Sequence, residues 1–228
     1  MSQSCTAFFN DDPQPLITLL EEFLRSRPVR SIKDSSEQVL QGIIEVFWSK
    51  KTCIMEVCLV VDATRSYGEG KHGFVDIFLP SVAESSAIII ELKNIMLTNL
   101  WKAQTKKPYI DAASTKLETL WKSLAKEDEE KLLQRKFRFY DKSATTWKMS
   151  TVQSAVDSAI DQVRNYMNVI EQGAGGLCVA GLVDGRVRCD VGNDSLEAHE
   201  VVCIGGTRVL TTQPGRVKTK YSFRPNTW

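Results

Sequence analysis

The sequence predicts an α/β domain in which a central mixed sheet is flanked by helices. Three apolar runs of strand length follow one another closely, an amphipathic helical segment precedes them, and a longer one comes later in the chain. Further strand-length runs come after that longer helix. With 228 residues, of which 43% are hydrophobic and 25% charged, the chain has the size and composition of one globular domain.

Two segments before the strands predict helices. Residues 15–25 (PLITLLEEFLR) are amphipathic, and residues 37–48 (EQVLQGIIEVFW) carry apolar side chains at helical spacing after a capping serine, Ser35 or Ser36. We expect residues 1–34 to form an N-terminal helix and a linker outside the core. The linker is basic because it contains Arg25, Arg27, Arg30 and Lys33.

Three runs predict neighbouring strands of a meander. Residues 53–61 (CIMEVCLVV) are almost entirely apolar, as expected for a strand covered on both faces, and 74–80 (FVDIFLP) and 86–93 (SAIIIELK) follow after polar turns. The turn at 64–73 is rich in glycine but lacks the G-x-x-x-x-G-K-[ST] pattern of a phosphate-binding P-loop. It is therefore interpreted as a strand connection.

Residues 95–149 interrupt this pattern with a charge-rich and strongly helical segment. Its longest helical stretch, 116–139, predicts a helical hairpin inserted into the core. A full helical stripe of apolar residues follows, with Ser150 and Gln153 as a capping box and Gly173 as its end.

The remainder of the chain predicts more strands. They are expected at 177–183, 186–191 and 199–204, with an Asp184-Gly185 hairpin turn between the first two. The predicted core therefore comprises residues 35–94 and 150–212, and the remaining segment, 213–228, is interpreted as a basic C-terminal tail.

The cysteine and histidine content argues against a zinc site. The six cysteines form no C-x-x-C pair and there are only two histidines, whereas zinc needs several converging ligands of these types. Most of the cysteines lie in apolar runs, which is typical of reduced thiols. Residues 1–12 do not resemble a signal peptide, and no apolar run approaches the ~20 residues of a membrane span. We therefore expect an intracellular protein, the nucleus being one location open to it.

Two charged residues end an otherwise apolar strand. Side chains alternate along 86–93, so Glu91 and Lys93 share a face. Asp76 interrupts the preceding run in the same way, and pairing of the two strands would bring it towards Glu91. One interpretation is that the strand simply emerges into solvent. The other is a metal site, because two close carboxylates repel each other and a divalent cation relieves that repulsion.

The residue types define the chemistry of such a site. Oxygen ligands without cysteine or histidine favour Mg²⁺ or Mn²⁺ over softer metals. The ammonium group of Lys93 would then orient an attacking water or help to deprotonate it. This set of groups suits the hydrolysis of a phosphodiester bond.

The pattern G-F-V-D-(x14)-E-L-K, on adjacent strands after a helix, resembles the PD-(D/E)XK nuclease superfamily. It is most similar to the RecB-like branch and to nuclease-like domains found beside AAA-type ATPases. These carry a Q-x-x-x-Y motif on the helix after the catalytic strands, and Gln162 and Tyr166 have that spacing here. The resemblance covers residues 35–94 and 150–204, and it implies a restriction-endonuclease-like core with α-β-β-β-α-β order.

The resemblance implies a role for each matched residue. Asp76 and Glu91 would bind the metal, Lys93 would serve catalysis, and Gln162 and Tyr166 would support the site or contact DNA.

The resemblance also implies an acidic metal ligand on the first core helix. Glu37 is the first choice and Glu45 the second, and both lie near one helix face with Gln41, at i, i+4 and i+8. Two positions depart from the family pattern. Val75 precedes the aspartate where the family name has proline, and Gln41 stands where RecB-like members often have histidine.

Basic residues in three places are candidates for nucleic-acid contacts. Segment 213–228 combines four cations with interleaved aromatic residues and has no acid, a composition that can follow a phosphate backbone or form a solvated tail. Trp101 with nearby lysines, and the glycine-rich turn, are the other two places; His72 in that turn is also a candidate general base. The candidate contacts are Lys71, His72, Lys102, Lys106, Arg216, Lys218 and Lys220.

The leading hypothesis is a Mg²⁺- or Mn²⁺-dependent nuclease that hydrolyses DNA, with RNA not excluded and a homodimer left open. One alternative is a non-catalytic nucleic-acid-binding module on the same fold, ATPase-linked or effector-type. The other is a protein-interaction domain that uses residues 95–149 as a helical docking surface. The net charge of +1 does not separate these classes, because any basic surface must come from local clustering.

Overall fold

A computed structural model describes residues 7–8, 10–48, 53–66, 69–80, 86–105, 113–173 and 180–226. The helices, numbered in chain order, are α1 (Gln14–Arg25), α2 (Val29–Ile32), α3 (Glu37–Phe47), α4 (Leu97–Gln104), α5 (Ser114–Leu124), α6 (Glu129–Leu133) and α7 (Val152–Gln172). The strands are β1 (Ile54–Val60), β2 (His72–Pro80), β3 (Ser86–Ile95), β4 (Lys136–Asp141), β5 (Thr146–Thr151), β6 (Gly181–Leu182), β7 (Val187–Val191), β8 (Ser195–Ile204), β9 (Arg208–Lys218) and β10 (Tyr221–Pro225).

A six-stranded mixed sheet forms the centre of the fold, with strand order β6-β1-β2-β3-β8-β9. The strands β1, β2 and β3 pair antiparallel as a meander, and β3 then pairs parallel with β8 over its whole length. The predicted α/β class and the predicted meander are confirmed. The parallel pair requires a long crossover between β3 and β8, and the chain uses it for the inserted segment and α7.

Helices cover both faces of this sheet. On one face α1 and α3 pack their apolar sides against β2, β3 and β8, around Leu20, Ile44 and Ile90. On the other face α7 packs against β1, β2 and β3 through residues such as Val163 and Ile170. Because both faces are covered, the central strands are almost entirely apolar, and a charged side chain in them needs an explanation.

The inserted segment is not the helical hairpin that the sequence predicts. Two helices, α5 and α6, are followed by an antiparallel hairpin of β4 and β5. Residues 136–139, expected to continue a helix, alternate between charged and aromatic side chains, and Phe137 is buried against the carboxyl ends of β3 and β8. This alternation has the period of a strand, so the strong helix formers before it do not extend the helix.

The predicted N-cap of α7 is wrong by one residue. The hydroxyl of Thr151, not that of Ser150, accepts a hydrogen bond from the backbone N–H of Ser154 at 3.1 Å. Ser150 belongs to β5, where it pairs with Phe137. The predicted end of the helix is correct, since Gly173 follows it with φ of 147°, a conformation that side chains rarely adopt.

The predicted Asp184-Gly185 hairpin is also wrong. The strand before it, β6, pairs with β1 in the main sheet, whereas β7 pairs with β10 in a separate two-stranded sheet. The side chain of Asp184 instead binds the backbone N–H groups of Cys58 and Arg186, so the turn connects two sheets.

The segment interpreted as a basic tail is part of the fold. Strand β9 runs to Lys218 along the edge of the main sheet, and β10 follows it. Phe223 is buried and packs its ring edge-on against Phe78 of β2. Phe223 of this segment thus packs in the core, which a solvated tail would not allow.

Among the described residues, no helix combines the length and apolar character needed to cross a membrane.

Candidate active site

The candidate site lies where β2 and β3 stop pairing. Their antiparallel register ends at Ile77 and Ile90, and continuing it by one residue places Asp76 opposite Glu91. At this point an Asp76 carboxylate oxygen accepts a hydrogen bond from the backbone N–H of Leu92 at 2.7 Å. Because opposite residues of an antiparallel pair project to the same face, the two acids project from adjacent strands to one side.

An irregularity on the neighbouring strand accompanies this geometry. Glu56 of β1 has φ of 52°, in the left-handed region, and it lies between the Met55–Ile77 and Val57–Val75 pairs, at the level of Asp76. For a residue other than glycine this conformation costs roughly 1–3 kcal/mol, and such strain is concentrated at functional sites.

Gln41 of α3 ties the first helix to this irregularity. Its side-chain amide donates to the Glu56 carboxylate at 3.2 Å and to the backbone carbonyl of Asp76 at 3.0 Å. From the sequence, Gln41 is a departure from the family pattern on the helix face of Glu37 and Glu45, and Glu56 is not among the predicted site residues. The available signal for Glu56 was that it is the one charged residue in the apolar run 53–61.

Glu91 and Lys93 form a buried ion pair on β3. The Lys93 ammonium lies 2.7 Å from one Glu91 carboxylate oxygen, and the Glu91 side chain is only 2% exposed. The other Glu91 oxygen, Oε2, is buried and has no hydrogen-bond partner in the described part of the chain. A buried oxygen without a partner is costly, so Glu91 retains binding capacity that the fold itself does not use.

The charges of these groups act on one another. Burial raises the pKa of Asp76 to about 6, an effect that the Leu92 N–H and Lys93 oppose and that Glu37 and Glu56 increase. Burial and the Asp76 charge raise the pKa of Glu91 to about 7, against the effect of Lys93.

Burial affects the pKa of Lys93 in the opposite direction from the pKa values of the acids. Burial lowers its pKa, but Glu91, Glu37 and Asp76 together outweigh that effect, and the net result is a raised pKa. Lys93 is therefore an ammonium ion at neutral pH.

The helix α7 places Gln162 and Tyr166 beside these groups. The Gln162 amide donates to the Tyr166 hydroxyl at 2.9 Å. Burial, together with the charges of Glu91 and Asp76, raises the pKa of Tyr166. The Tyr166 ring packs on Gly73 of β2, where an added Cβ would lie only 3.1 Å from Cε1 of the ring, so the glycine makes room for the tyrosine.

Glu37, at the start of α3, is the acidic residue of this helix whose charge affects the site residues. Its charge acts on Asp76, Glu91 and Lys93, raising the pKa of each. The second choice, Glu45, lies about two helical turns further along α3. The structure thus brings Asp76, Glu91, Lys93, Glu37, Gln162 and Tyr166 into one region.

The candidate nucleic-acid contacts are dispersed. Lys71 and His72 lie at the start of β2 with half-buried side chains. Lys102, on α4, is close enough to Asp34 to lower the pKa of that acid. Lys106 lies outside the described residues.

The three candidates on and after β9 lie at the other end of the sheet. Lys218 pairs with Ser195, which pairs with Ser86 at the start of β3. Lys93 is seven residues further along that strand, or about 23 Å away at ~3.3 Å per residue. Arg216 is already bound by Asp11 at 2.7 Å and by Glu197 at 2.8 Å, and Lys220 follows β9 with an exposed side chain.

Comparisons with known proteins found no match to this chain among family models, curated proteins or solved structures. The function is therefore inferred from the chemistry of the site.

Proposed function

We propose that the chain is a metal-dependent nuclease that hydrolyses DNA phosphodiester bonds, built on a restriction-endonuclease-like core. One observation carries the proposal: Glu91 is almost fully buried, its second oxygen has no partner, and it shares its surroundings with Asp76 and the Lys93 ammonium. A purely structural role would not require two carboxyl groups and an ammonium group in the same apolar environment.

The donor atoms present fit a hard divalent cation. Among the described residues, no three histidine, cysteine, aspartate or glutamate side chains are already gathered as a metal cage. Asp76 and Glu91 would hold Mg²⁺ or Mn²⁺, and Glu37, whose charge acts on both, would have to move towards them to add a third carboxylate. When bound, the cation would lower the pKa of a water molecule and neutralise charge on the phosphate. Oxygen Oε2 of Glu91 would then have a partner.

The chain's own groups supply the remaining functions. The Lys93 ammonium donates a hydrogen bond to Glu91 and can donate another to a phosphate oxygen or to the attacking water, where it stabilises developing negative charge. Gln162 and Tyr166 act as positioning residues, because the Tyr166 hydroxyl is fixed by the Gln162 amide next to the acids. The same chemistry applies to RNA, so DNA is proposed here on the family resemblance.

The test is cleavage of linear, circular and branched DNA with and without Mn²⁺. We expect Lys93→Ala and Asp76→Asn to remain folded and to reduce cleavage by about 10²–10⁴-fold, the contribution typical of one catalytic group. The matched control is Lys142→Ala, which removes an exposed lysine in the turn between β4 and β5. Undiminished metal-dependent cleavage by both site variants would rule out the assignment. A wild-type protein that binds DNA in EDTA but never cleaves it would indicate a non-catalytic module.

A further inference from the structure

A basic cleft lies where the connection between α1 and α3 meets the start of α4, and none of the described residues that were predicted to contact nucleic acid lines it. It has a volume of about 620 Å³ and lies between the connection from α1 to α3 on one side and α5 on the other. Its lining includes four cations, Arg25, Arg27, Arg30 and Lys33, and one acid, Glu118. Cations concentrated in a concave wall focus the local potential, so the cleft attracts anions although the whole chain has a net charge of only +1.

Two of the four cations in the cleft are already paired with acids. Arg25 is bound by Glu21, and Lys33 by Asp34, while the acid in the lining, Glu118, is neutralised by Lys122.

The two remaining cations carry no such partner. Within the described part of the chain, neither Arg27 nor Arg30 forms an ion pair with a carboxylate, and both side chains are exposed. The Arg27 guanidinium lies 4.2 Å from the centre of the Phe23 ring, which restrains it while leaving its N–H groups free to bind phosphate.

The cleft and the candidate site share a short piece of backbone. The backbone N–H of Thr98 donates to the carbonyl of Lys33 at 3.3 Å, and the Thr98 hydroxyl donates to Asp34. The Asn94 amide donates to the carbonyl of Ser35, and Asn94 is the residue after Lys93. The residues that close the cleft are therefore within a few positions of Lys93 on one segment and of Glu37 on the other.

The cations of the cleft offset the repulsion between the acids of the candidate site and a phosphate backbone. Asp76, Glu91 and Glu37 repel a phosphate backbone, whereas the arginines of the cleft attract one, and Lys33 of the cleft lining is four residues before Glu37. Trp121 is half-buried in the cleft wall, and its indole N–H donates a hydrogen bond to the carbonyl of Gly206. Its ring adds an aromatic surface on which a base can stack.

We propose that this cleft binds the phosphate backbone of the nucleic-acid strand on which the site acts, with Arg27 and Arg30 as the main contacts. The inference rests on the proposed nuclease function, because it treats the bound strand as the substrate that reaches Asp76 and Glu91. Its binding step needs no metal and no catalysis, so the two proposals can fail separately.

The experiment measures the binding of fluorescein-labelled 30-nucleotide single strands and 30-base-pair duplexes in EDTA, where cleavage cannot occur. Arg27→Ala/Arg30→Ala should weaken binding at least tenfold at low salt, and it should reduce the slope of log K against log salt by about 1–2, since two phosphate contacts are lost. Lys131→Ala/Lys142→Ala is the matched control, because it makes the same change in charge at two exposed lysines that do not line the cleft. We expect its affinity to stay within twofold of the wild type.

A second variant and a second ligand complete the test. Arg27→Lys/Arg30→Lys keeps the charge and should retain most of the affinity, and thermal melting confirms that each variant is folded. Equal weakening by the control pair, or no binding by the wild type, would overturn the proposal. The proposal would also be overturned if the cleft binds inorganic pyrophosphate while the alanine variant keeps its affinity for nucleic acid. That result would indicate a site for small anions. If the cleft binds DNA but no cleavage is found, the nuclease proposal fails and the cleft assignment stands.

Discussion

Burial raises the pKa of several carboxyl groups in the central sheet, among them Asp76 to about 6 and Glu91 and Glu200 to about 7. A raised pKa means that the folded state keeps a proton that the unfolded chain releases. Stability is therefore fully present below the unfolded pKa and is lost as pH rises through the folded pKa. Asp76 and Glu91 have a proposed function that explains this cost, whereas Glu200 does not take part in it.

Glu200 is thus the best place to test the cost of a buried acid. It pairs in register with Glu91 on parallel β8, it is 1% exposed, and neither carboxylate oxygen makes a hydrogen bond of normal geometry among the described residues. Burial accounts for most of its raised pKa, and Thr212 partly opposes the shift. At pH 8 we expect the free energy of unfolding of Glu200→Gln to exceed that of the wild type by about 3 kcal/mol. At pH 4 we expect the two values to be nearly equal.

Urea unfolding at pH 4, 6 and 8 measures this difference. Glu129→Gln, which removes an exposed acid from α6, is the control and should give no gain that grows with pH. A constant difference between Glu200→Gln and the wild type across this range would show that Glu200 does not titrate between its unfolded and folded pKa values.

At the residue scale, the sequence reveals charges that interrupt apolar runs. Asp76, Glu91 and Lys93 were identifiable for this reason, because a charge in a covered strand is costly. Glu56 carried the same signal. The role of Gln41 could not be predicted, since it depends on the distance between a helix and a strand irregularity that no local pattern encodes.

At the scale of elements, periodic segments were predicted well and non-local pairings were not. The positions of α1, α3 and β1 to β3 follow from apolar spacing within each segment. In contrast, the pairing of β7 with β10 joins segments separated by β8 and β9, and it depends on tertiary contacts. The β4–β5 hairpin was missed because its alternating pattern follows directly on strong helix formers.

The N-cap of α7 provides a test at this scale. Thr151→Ala removes the side-chain acceptor for the N–H of Ser154 and should destabilise the protein by about 1 kcal/mol, the usual effect of losing such a cap. Ser150→Ala, one residue earlier, leaves the cap in place and should change stability much less. Thermal melting of the two variants measures the difference. A larger loss for Ser150→Ala would instead favour the capping box predicted from the sequence.

At the scale of the whole molecule, charges of opposite sign are separated although their sum is close to zero. The charges of Asp76, Glu91 and Glu37 act on one another, whereas Arg25, Arg27, Arg30 and Lys33 line a separate cleft. This separation is consistent with a surface that holds a polyanion next to a cation-binding site, and it is invisible in the overall composition.

Binding of Mn²⁺ should stabilise the folded protein in a pH-dependent manner. A ligand that binds only the folded state stabilises it by about 2.7 kcal/mol at 100 times its Kd. Asp76 and Glu91, with pKa values of about 6 and 7, must lose their protons to bind the cation. We therefore expect Mn²⁺ to raise the melting temperature more at pH 8 than at pH 5.5, and EDTA to reverse the increase.

Asp76→Asn is the informative variant for this measurement, because it keeps the size of the side chain and removes its charge. It should lose most of the Mn²⁺-dependent increase at pH 8. An increase of the same size in Asp76→Asn, or one that does not depend on pH, would indicate that the cation binds elsewhere.

The burial of Phe223 under the sheet has a consequence for how the protein is made. During synthesis on the ribosome, five strands of the six-stranded sheet emerge before β9, and Phe223 emerges after all six. Until β9 emerges, β8 lacks its outer neighbour. Until Phe223 emerges, the Phe78 ring lacks its edge-on partner. The nascent chain would therefore present both an unpaired strand edge and uncovered apolar surface, a combination that recruits chaperones.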